Sequence, residues 1–288
     1  MLISNEIGTV SKVVGDKKGI ELFAKAGFDA WDFSMYDRSR FIFNENKLLD
    51  ANGNVVSTDL IKYAKELKKI SLDNGIVCNQ SHAPFPSNRP EIQDSFKKVI
   101  EMTAEVGAKI CVIHPWNNYS AEENAEMYNK FLPFAKECGV KIATENMWNW
   151  DSVKDEALPA ACSDEESFVK HVDAVGDDYL VACLDIGHAE MRGLNTNAVA
   201  LIKALGNKRL KALHIHDNDL HYDCHEIPMT MGVDFKAVVK ALKEINYDGD
   251  FTLEVDARLT ASDDKTVLEK LKKIADSGKK LVEMFNSL

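Results

Sequence analysis

Short apolar segments alternate with longer amphipathic segments along the chain. The apolar segments end at turn residues, which is typical of strands in a parallel sheet that is covered on both faces. The amphipathic segments have helical spacing, and one of them, residues 16–26, stops at Gly27, a common helix terminator. No linker or low-complexity segment interrupts the alternation. The pattern predicts eight strands and eight helices, and hence an α/β fold: a single (β/α)8 TIM barrel domain over residues 1–288.

Six of the predicted strands finish on a side chain that can bind a metal ion or move a proton. In chain order these residues are His82, His114, Glu145, Asp185, His214 and Glu254. In a TIM barrel the carboxyl ends of all strands meet at one face, where active sites lie. A doubly wound open sheet, the alternative fold, would not bring six strand ends to one point. The strand endings therefore predict a metal-binding site and support the barrel.

Several local predictions can be compared with the structure. The loop of residues 34–56 is long enough to be functional or to hold a hairpin at Asn52-Gly53. A second long loop, residues 148–161, carries Trp148 and Trp150. Residues 121–138 are predicted to form one helix. His171 is predicted to be a solvated surface residue in the middle of a helix.

Charge and composition narrow the choice of partners. The chain has 35 basic and 46 acidic residues and a net charge of −11, so nucleic acid is an unlikely partner. The obvious basic candidates on early loops are Arg38, Arg40 and Arg89. No apolar run is long enough to span a membrane, and the first residues do not resemble a signal peptide, so we expect a cytoplasmic protein. The six cysteines form no CxxC pair, which favours reduced thiols over a zinc ribbon.

Four of the strand-end residues form the predicted metal site. Glu145, Asp185, His214 and Glu254 come from consecutive strands, whose ends lie about 4.8 Å apart from neighbour to neighbour. Oxygen and imidazole ligands suit Mn²⁺, Zn²⁺, Co²⁺ or Mg²⁺, and ligand type alone does not choose among these ions. His216 shares the strand face of His214, and it could be a ligand, a group behind the ligands, or a substrate contact.

Several stretches resemble the xylose-isomerase-like barrel superfamily, which includes sugar isomerases, 3-epimerases, dehydratases and endonuclease IV. The matching stretches are 81–85 (SHAPF), 112–115 (VIHP), 143–146 (ATEN), 184–188 (LDIGH), 214–218 (HIHDN), 223–225 (DCH) with Pro228 and Gly232, and 253–254 (LE). They occur in this order and span strands three to eight. The resemblance implies the same barrel and a carbohydrate substrate.

The resemblance to the single-metal epimerases also implies residue roles. Glu145, Asp185, His214 and Glu254 would hold Mn²⁺ or a similar ion, although His216 could replace His214 in the alignment. Glu145 and Glu254 would be the acid/base pair for proton transfer through an enediolate. A lyase or dehydratase shares this first half-reaction and stays open, as does the formation of a homo-oligomer.

Endonuclease IV, which holds three zinc ions, is the second candidate within the superfamily. Its ligand positions correspond to His82, His114, Glu145, Asp185, His188, His214, Asp223, His225 and Glu254, and all have suitable side chains here. In a sugar enzyme the histidines and Asp223 would bind substrate or an additional metal. Further candidate substrate contacts are Arg192 and the tryptophans Trp116, Trp148 and Trp150. A nuclease needs phosphate-neutralising side chains, whereas the predicted rim loops are mostly acidic or neutral.

Overall fold

Eight parallel strands close into a barrel in the computed structural model, which describes all 288 residues. In chain order the strands are β1 (Ile3–Asn5), β2 (Ala30–Ser34), β3 (Phe41–Ile42), β4 (Lys47–Leu49), β5 (Val55–Ser57), β6 (Val77–His82), β7 (Ile110–Val112), β8 (Lys141–Glu145), β9 (Trp148–Asp151), β10 (Glu156–Pro159), β11 (Leu180–Asp185), β12 (Leu210–His214) and β13 (Phe251–Leu253). Strands β3–β5 and β9–β10 form separate antiparallel sheets. The other eight strands are the barrel.

The register of the barrel strands brings their carboxyl ends together. Strands β2, β6, β7, β8, β11 and β12 pair in this order, and β1 pairs with β13. Two parallel bridges, Glu6 with Asp32 and Ile215 with Leu253, join these two groups and close the ring. The predicted TIM barrel is therefore confirmed, and each strand lies beside the next barrel strand in sequence.

Helices surround the barrel and occupy most of the connections between its strands. They are α1 (Gly8–Val14), α2 (Asp16–Ala26), α3 (Leu60–Asp73), α4 (Pro90–Val106), α5 (Ala121–Asn129), α6 (Leu132–Cys138), α7 (Glu165–Asp173), α8 (Ile186–Ala189), α9 (Ala198–Arg209), α10 (Phe235–Glu244) and α11 (Val267–Ser287). Helix α9 is broken at Gly206, whose φ is 59°. None of the helices combines the length and the apolarity that crossing a membrane requires.

The structure corrects two local predictions. Residues 121–138 form two helices, α5 and α6, because Pro133 has no N–H to donate and its ring clashes with a carbonyl one turn earlier. His171 is buried, not solvated, since α7 packs between α5 and α9. Its Nδ1 lies 2.7 Å from the carbonyl oxygen of Ser167, one turn back in the same helix.

Both long loops contain β-structure. The first holds β3–β5, with a turn at Asn52-Gly53 in which Gly53 has a φ of 82°, as the sequence predicted for a hairpin there. The second forms the β9–β10 hairpin, which carries Trp148 and Trp150. This second hairpin extends the β8 connection over the carboxyl end of the barrel.

The barrel interior combines small apolar side chains with a chain of hydrogen bonds. The apolar residues are Val112, Ala143, Val181, Cys183 and Ala212. On β1, β13, β6 and β2, the Ser4 hydroxyl donates to Thr252, Thr252 donates to Gln80, and the Gln80 amide donates to Asp32 over 2.9 Å. This polar chain ends at Asp32, which lies directly behind the candidate site.

Candidate metal centre

The four residues of the predicted metal site lie together at the carboxyl ends of four neighbouring strands. Glu145, Asp185, His214 and Glu254 each offer a ligand atom, and these atoms all lie within 4.8 Å of one another. Nδ1 of His214 lies 3.1 Å from Oε2 of Glu145 and 3.3 Å from Oε2 of Glu254. Residues from four strands therefore converge on one point at the end of the barrel, as a metal centre requires.

Local structure orients two of these ligand atoms. Asp185 is the N-cap of the short helix α8, and its Oδ1 accepts a 2.7 Å hydrogen bond from the backbone N–H of His188. The cap holds the carboxylate in place while its other oxygen, Oδ2, stays buried without a partner. Nε2 of His214 lies 3.4 Å from Asp32, so the opposite ring nitrogen faces the carboxylates. Such orientation of a ligand by a group behind it is usual at metal sites.

A second group of possible ligands consists of His188, His216, Asp223 and His225. Nε2 of His188 lies 3.3 Å from Oδ2 of Asp223, and Nε2 of His225 lies 3.3 Å from Oδ1. Each of these two histidines has its Nδ1 next to a backbone carbonyl oxygen, of Asn146 at 2.9 Å and of Glu254 at 2.8 Å. Both rings therefore present Nε2 to the same carboxylate.

His216 belongs to this second group and is held close to the backbone of α8. Its Nε2 lies 3.1 Å from Oδ1 of Asp185, the residue that connects the two groups. A Cβ added to Gly187 would lie only 2.0 Å from the His216 ring, so glycine is required for this approach. The structure thus places His214, rather than His216, in the four-residue group.

His82 and His114 complete the cluster on the side of β6 and β7. Their Nε2 atoms are 2.9 Å apart, and Nε2 of His114 lies 3.2 Å from Oε2 of Glu145. His82, Glu145 and His214 form a third set with ligand spacing. Glu145 therefore belongs to two overlapping sets and is the central carboxylate of the site.

The carboxyl and imidazole groups of the cluster have strongly shifted pKa values. Burial raises the pKa of Glu254 to about 8. Burial also acts to raise the pKa of Glu145, but His214 and His114 outweigh it and hold that pKa well below its usual range. Although burial opposes the shift, Asp185 and Asp223 raise the pKa of His188 to about 10. The carboxylates thus favour positive charge between them, which is the electrostatic requirement of a cation site.

The hydrogen bonding of the clustered side chains also agrees with metal binding. Buried polar atoms normally have partners, because an unpaired one costs about 1–3 kcal/mol. Several possible ligand atoms of the cluster are buried and form no hydrogen bond of normal geometry, although atoms of opposite charge lie 3.1–3.4 Å from most of them. They are Oδ2 of Asp185, Nδ1 and Nε2 of His214, Nε2 of His216, and Oδ1 of Asp223. Coordination would satisfy atoms of this kind. The residues present therefore fit a divalent metal cation.

The cluster opens into a cavity of about 490 Å³. The lining residues are Glu6, Gly8, Thr9, Lys12, Ser34, Tyr36, Asp37, His82, Phe85, His114, Asn117, Glu145, Met147, Trp148, His188, Asp223, His225, Glu254 and Asp256. Such a volume lies within the range of small-molecule sites. Trp148 forms part of the wall, and its ring lies 6.2 Å from that of His188.

Some sequence-predicted contacts lie elsewhere. The Arg192 guanidinium donates to the backbone oxygen of Asp155 and lies beside His221, so it supports the β9–β10 hairpin and does not line the cavity. Trp116 is also absent from the lining and packs on Phe85, 5.8 Å away. Arg40 is buried against Asp16, with 2.8 Å between Nη2 and Oδ2, and is not a basic rim residue.

Sequence reasoning missed several residues of the site, including Glu6, Tyr36 and Asp256 in the lining and Asp32 behind His214. The strand-ending pattern was applied only from the third strand onward. The same pattern holds for the first strand, since β1 is followed directly by Glu6. The signal for Glu6 was therefore present in the sequence.

Comparisons with known proteins agree with this architecture. The family model described as "Xylose isomerase-like TIM barrel" matches residues 20–277. The chain therefore belongs to the xylose isomerase-like TIM barrel family. An uncharacterised protein of Methanocaldococcus jannaschii is 26% identical over 255 residues, which cover 82% of this chain and 77% of that protein.

Among solved structures, a D-tagatose 3-epimerase-like protein superposes with a TM-score of 0.71 at 22% identity, covering 100% of this chain and 99% of the other. An L-ribulose 3-epimerase gives a TM-score of 0.71 at 16% identity, with 99% and 95% covered. The IolI protein, whose structure contains a zinc atom, gives 0.71 at 19% identity, with 100% and 99% covered. These similarities show the shared fold.

Proposed function

We propose that this protein is a divalent-metal-dependent isomerase or epimerase of a sugar or sugar phosphate. The observation that carries the proposal is the convergence of Glu145, Asp185, His214 and Glu254 at the base of a cavity large enough for a monosaccharide. Sugar 3-epimerases among the structural neighbours share the fold, which supports the choice of reaction class. Glu145, Asp185, His214 and Glu254 are the proposed metal ligands, with Mn²⁺ or Zn²⁺ as the preferred ions.

The proposed chemistry is proton transfer at a carbon next to a carbonyl group. Glu145 takes the proton from the substrate carbon and Glu254 returns it, or the roles are reversed. The two carboxylates flank the same nitrogen of His214, so both can reach one substrate bound there. A divalent ion, when bound, supplies Lewis-acid stabilisation of the charge that develops on the substrate oxygens.

Other residues of the cavity would bind and enclose the substrate. His82, His114 and His188 line it and can hydrogen-bond sugar hydroxyls. Trp148 supplies an apolar wall that can pack on a sugar face and exclude water. Asp223 and His225 line the cavity beside Glu254 and are further candidates for substrate contact.

Proton exchange is the direct test of this proposal. The metal-loaded protein is incubated in deuterated water with a panel of free ketoses and sugar phosphates, and deuterium at the carbon next to the carbonyl is measured. In Glu145→Gln and Glu254→Gln we expect kcat to fall by about 10²- to 10⁴-fold, because each removes a positioned acid or base. Glu283→Gln, an exposed residue of α11, is the matched control.

Metal content of each variant is measured in parallel, since both glutamates are also proposed ligands. Normal turnover in either variant would remove that glutamate from the acid/base role. Loss of water from the substrate without epimerised product would instead indicate a lyase or dehydratase, which begins with the same proton abstraction.

A second candidate, an endonuclease IV-like zinc phosphodiesterase acting on abasic DNA, is favoured by the second group of possible ligands. His188, His216, Asp223 and His225 have metal-ligand spacing of their own. Elemental mass spectrometry of gently purified protein discriminates the two proposals. About one metal ion per chain supports the epimerase, whereas about three zinc ions with incision of abasic DNA supports the nuclease.

A further inference from the structure

Part of the cavity wall lies on connections that leave the barrel and not on its strands. Trp148 is the first residue of the β9–β10 hairpin, whereas Asp223 and His225 lie in the long connection between β12 and α10. Pairing of the barrel strands does not by itself fix the paths of these connections. Contacts outside the barrel must therefore help to hold the three side chains around one cavity.

Aromatic rings join the hairpin to the β12–α10 connection. Trp148 and Trp150 lie on the same face of β9, with their ring centroids 6.1 Å apart. The Trp150 ring stacks on Tyr222, with a centroid distance of 5.5 Å and an interplanar angle of 30°, and on His221 at 5.8 Å. Tyr222 directly precedes Asp223 in the chain. The stack thus runs from one residue of the cavity wall to the neighbour of another.

Hydrogen bonds at Asp155, in the turn of the hairpin, hold the same two connections together. The Tyr222 hydroxyl donates to the Asp155 carboxylate, with 3.1 Å to Oδ2. The Arg192 guanidinium donates to the backbone oxygen of Asp155, and the His221 ring lies within hydrogen-bonding distance of that oxygen. Asp155 and Leu220 have positive φ angles of 55° and 65°. Such conformations cost energy in residues other than glycine and persist where surrounding contacts hold them.

A third segment, directly after α8, packs between the two connections. The backbone N–H of Ala157 in β10 donates to the Arg192 carbonyl over 2.9 Å, and the N–H of Arg192 donates to the Leu220 carbonyl over 3.0 Å. A Cβ added to Gly193 would lie 2.1 Å from the carbonyl oxygen of Ala157, so this close approach requires glycine. Three connections are therefore hydrogen-bonded to one another outside the cavity.

We propose that Trp150, Asp155 and Tyr222 are positioning residues for the substrate. They join the hairpin to the β12–α10 connection, and so hold Trp148 and Asp223 in place around the cavity. None of the three lines the cavity, so they act through the wall residues and not by touching the substrate. This inference rests on the proposed function and adds residues outside the cavity on which substrate binding depends.

Steady-state kinetics of the metal-loaded protein, with a sugar that it turns over, tests this role. In Trp150→Ala we expect KM to rise about tenfold, because a contact between aromatic rings contributes up to about 1.5 kcal/mol, which is about tenfold in an equilibrium constant. We expect kcat to change less than about twofold and metal content to stay the same, since only binding of the substrate is weakened. Trp150→Phe keeps a ring in the stack and should restore most of the lost affinity.

Tyr222→Phe is the second variant, and it decides the matter if Trp150→Ala does not fold. It keeps the stack and removes only the hydrogen bond to Asp155, so KM should rise about threefold. Tyr179→Phe is the matched control, since it removes a tyrosine hydroxyl directly before β11, at the opposite end of the barrel, and should leave KM unchanged.

Hydrogen exchange measured by mass spectrometry follows the same contacts without a substrate. In Trp150→Ala, exchange should accelerate in residues 218–225 as well as in the hairpin, because the substitution releases both connections. Unchanged exchange in residues 218–225 overturns the inference, as does an unchanged KM in Trp150→Ala and Tyr222→Phe. A fall in kcat with loss of metal also overturns it, because the effect then lies at the metal centre. If the wild-type protein neither turns over a sugar nor exchanges its proton, the proposed function fails, and a positioning role in it fails as well.

Discussion

The two candidate ligand groups share one end of the barrel but are built differently. The first group, Glu145, Asp185, His214 and Glu254, lies on or directly after four barrel strands. The second group takes His188 from α8 and His216 from just beyond β12, but it takes Asp223 and His225 from the long connection to α10. His225 also has a positive φ of 46°, which is uncommon for a residue other than glycine.

The two groups therefore depend on different parts of the fold. Barrel register fixes the first group, so its geometry follows once the strands pair. The second group depends on a loop conformation for Asp223 and His225, whose side chains are 18% and 21% exposed. In the first group only Glu254, at 17%, is exposed to a similar extent, and the other three side chains are buried. We therefore expect the first group to bind metal more tightly.

The largest expected difference between the groups is in catalysis. His214→Ala should remove the metal ion and lower kcat/KM by about 10³-fold, since Lewis-acid stabilisation contributes several kcal/mol. His225→Ala should keep the metal and lower kcat/KM only about tenfold, as expected for the loss of one substrate hydrogen bond. Metal content and kcat/KM are measured on both variants. Loss of metal from His225→Ala with retention in His214→Ala would reverse our assignment.

Thermal stability provides a comparison that is independent of turnover. Mn²⁺ or Zn²⁺ at 100 times its Kd should stabilise the chelator-treated protein by about 2.7 kcal/mol, because the ion binds the folded state. For a protein of this size, the rise in Tm is about 4–5 °C. His225→Ala should show nearly the same rise in calorimetry, and His214→Ala should show almost none. Equal shifts in the two variants would contradict the ranking of the groups.

A smaller effect is expected from the residue behind His214. Asp32→Asn removes the carboxylate next to Nε2 of His214 and should weaken metal affinity by about 10- to 100-fold. The Kd is measured by titration of metal into the apo protein. Asp29→Asn, which changes an exposed acid just before the same strand, is the control and should leave the Kd unchanged. An unaltered Kd in Asp32→Asn would show that Asp32 does not orient the ligand.

The smallest expected effect concerns the packing of the second group. Gly187→Ala places a methyl group 2.0 Å from the His216 ring and should destabilise the fold by about 1–2 kcal/mol through overpacking. The free energy of unfolding is measured by denaturant titration. In a His216→Ala background the same substitution should cost clearly less, because the ring is absent. Identical costs in both backgrounds would mean that the ring moves aside without strain.

Some features of the structure could be predicted from the sequence, and others could not. The barrel and the convergence of six strand-end residues followed from apolar periodicity, because a parallel strand buried on both faces has a strong signature. The division of residues 121–138 into two helices was missed although Pro133 was visible. The burial of His171 was also missed, since the contacts that bury it come from two other helices.

By itself, the sequence determined which side chains lie at the carboxyl end of the barrel, because strand order and period fix where each strand finishes. Only the tertiary structure showed that His214 lies in the four-residue group and His216 in the other. It also placed Arg192 against the hairpin outside the cavity. Glu6 and Asp256 line the same cavity, which only the closed barrel brings about. These outcomes depend on ring orientation, loop paths and barrel closure. They are set by contacts between residues as much as 250 positions apart, such as that of Asn5 with Val255, which no local pattern encodes.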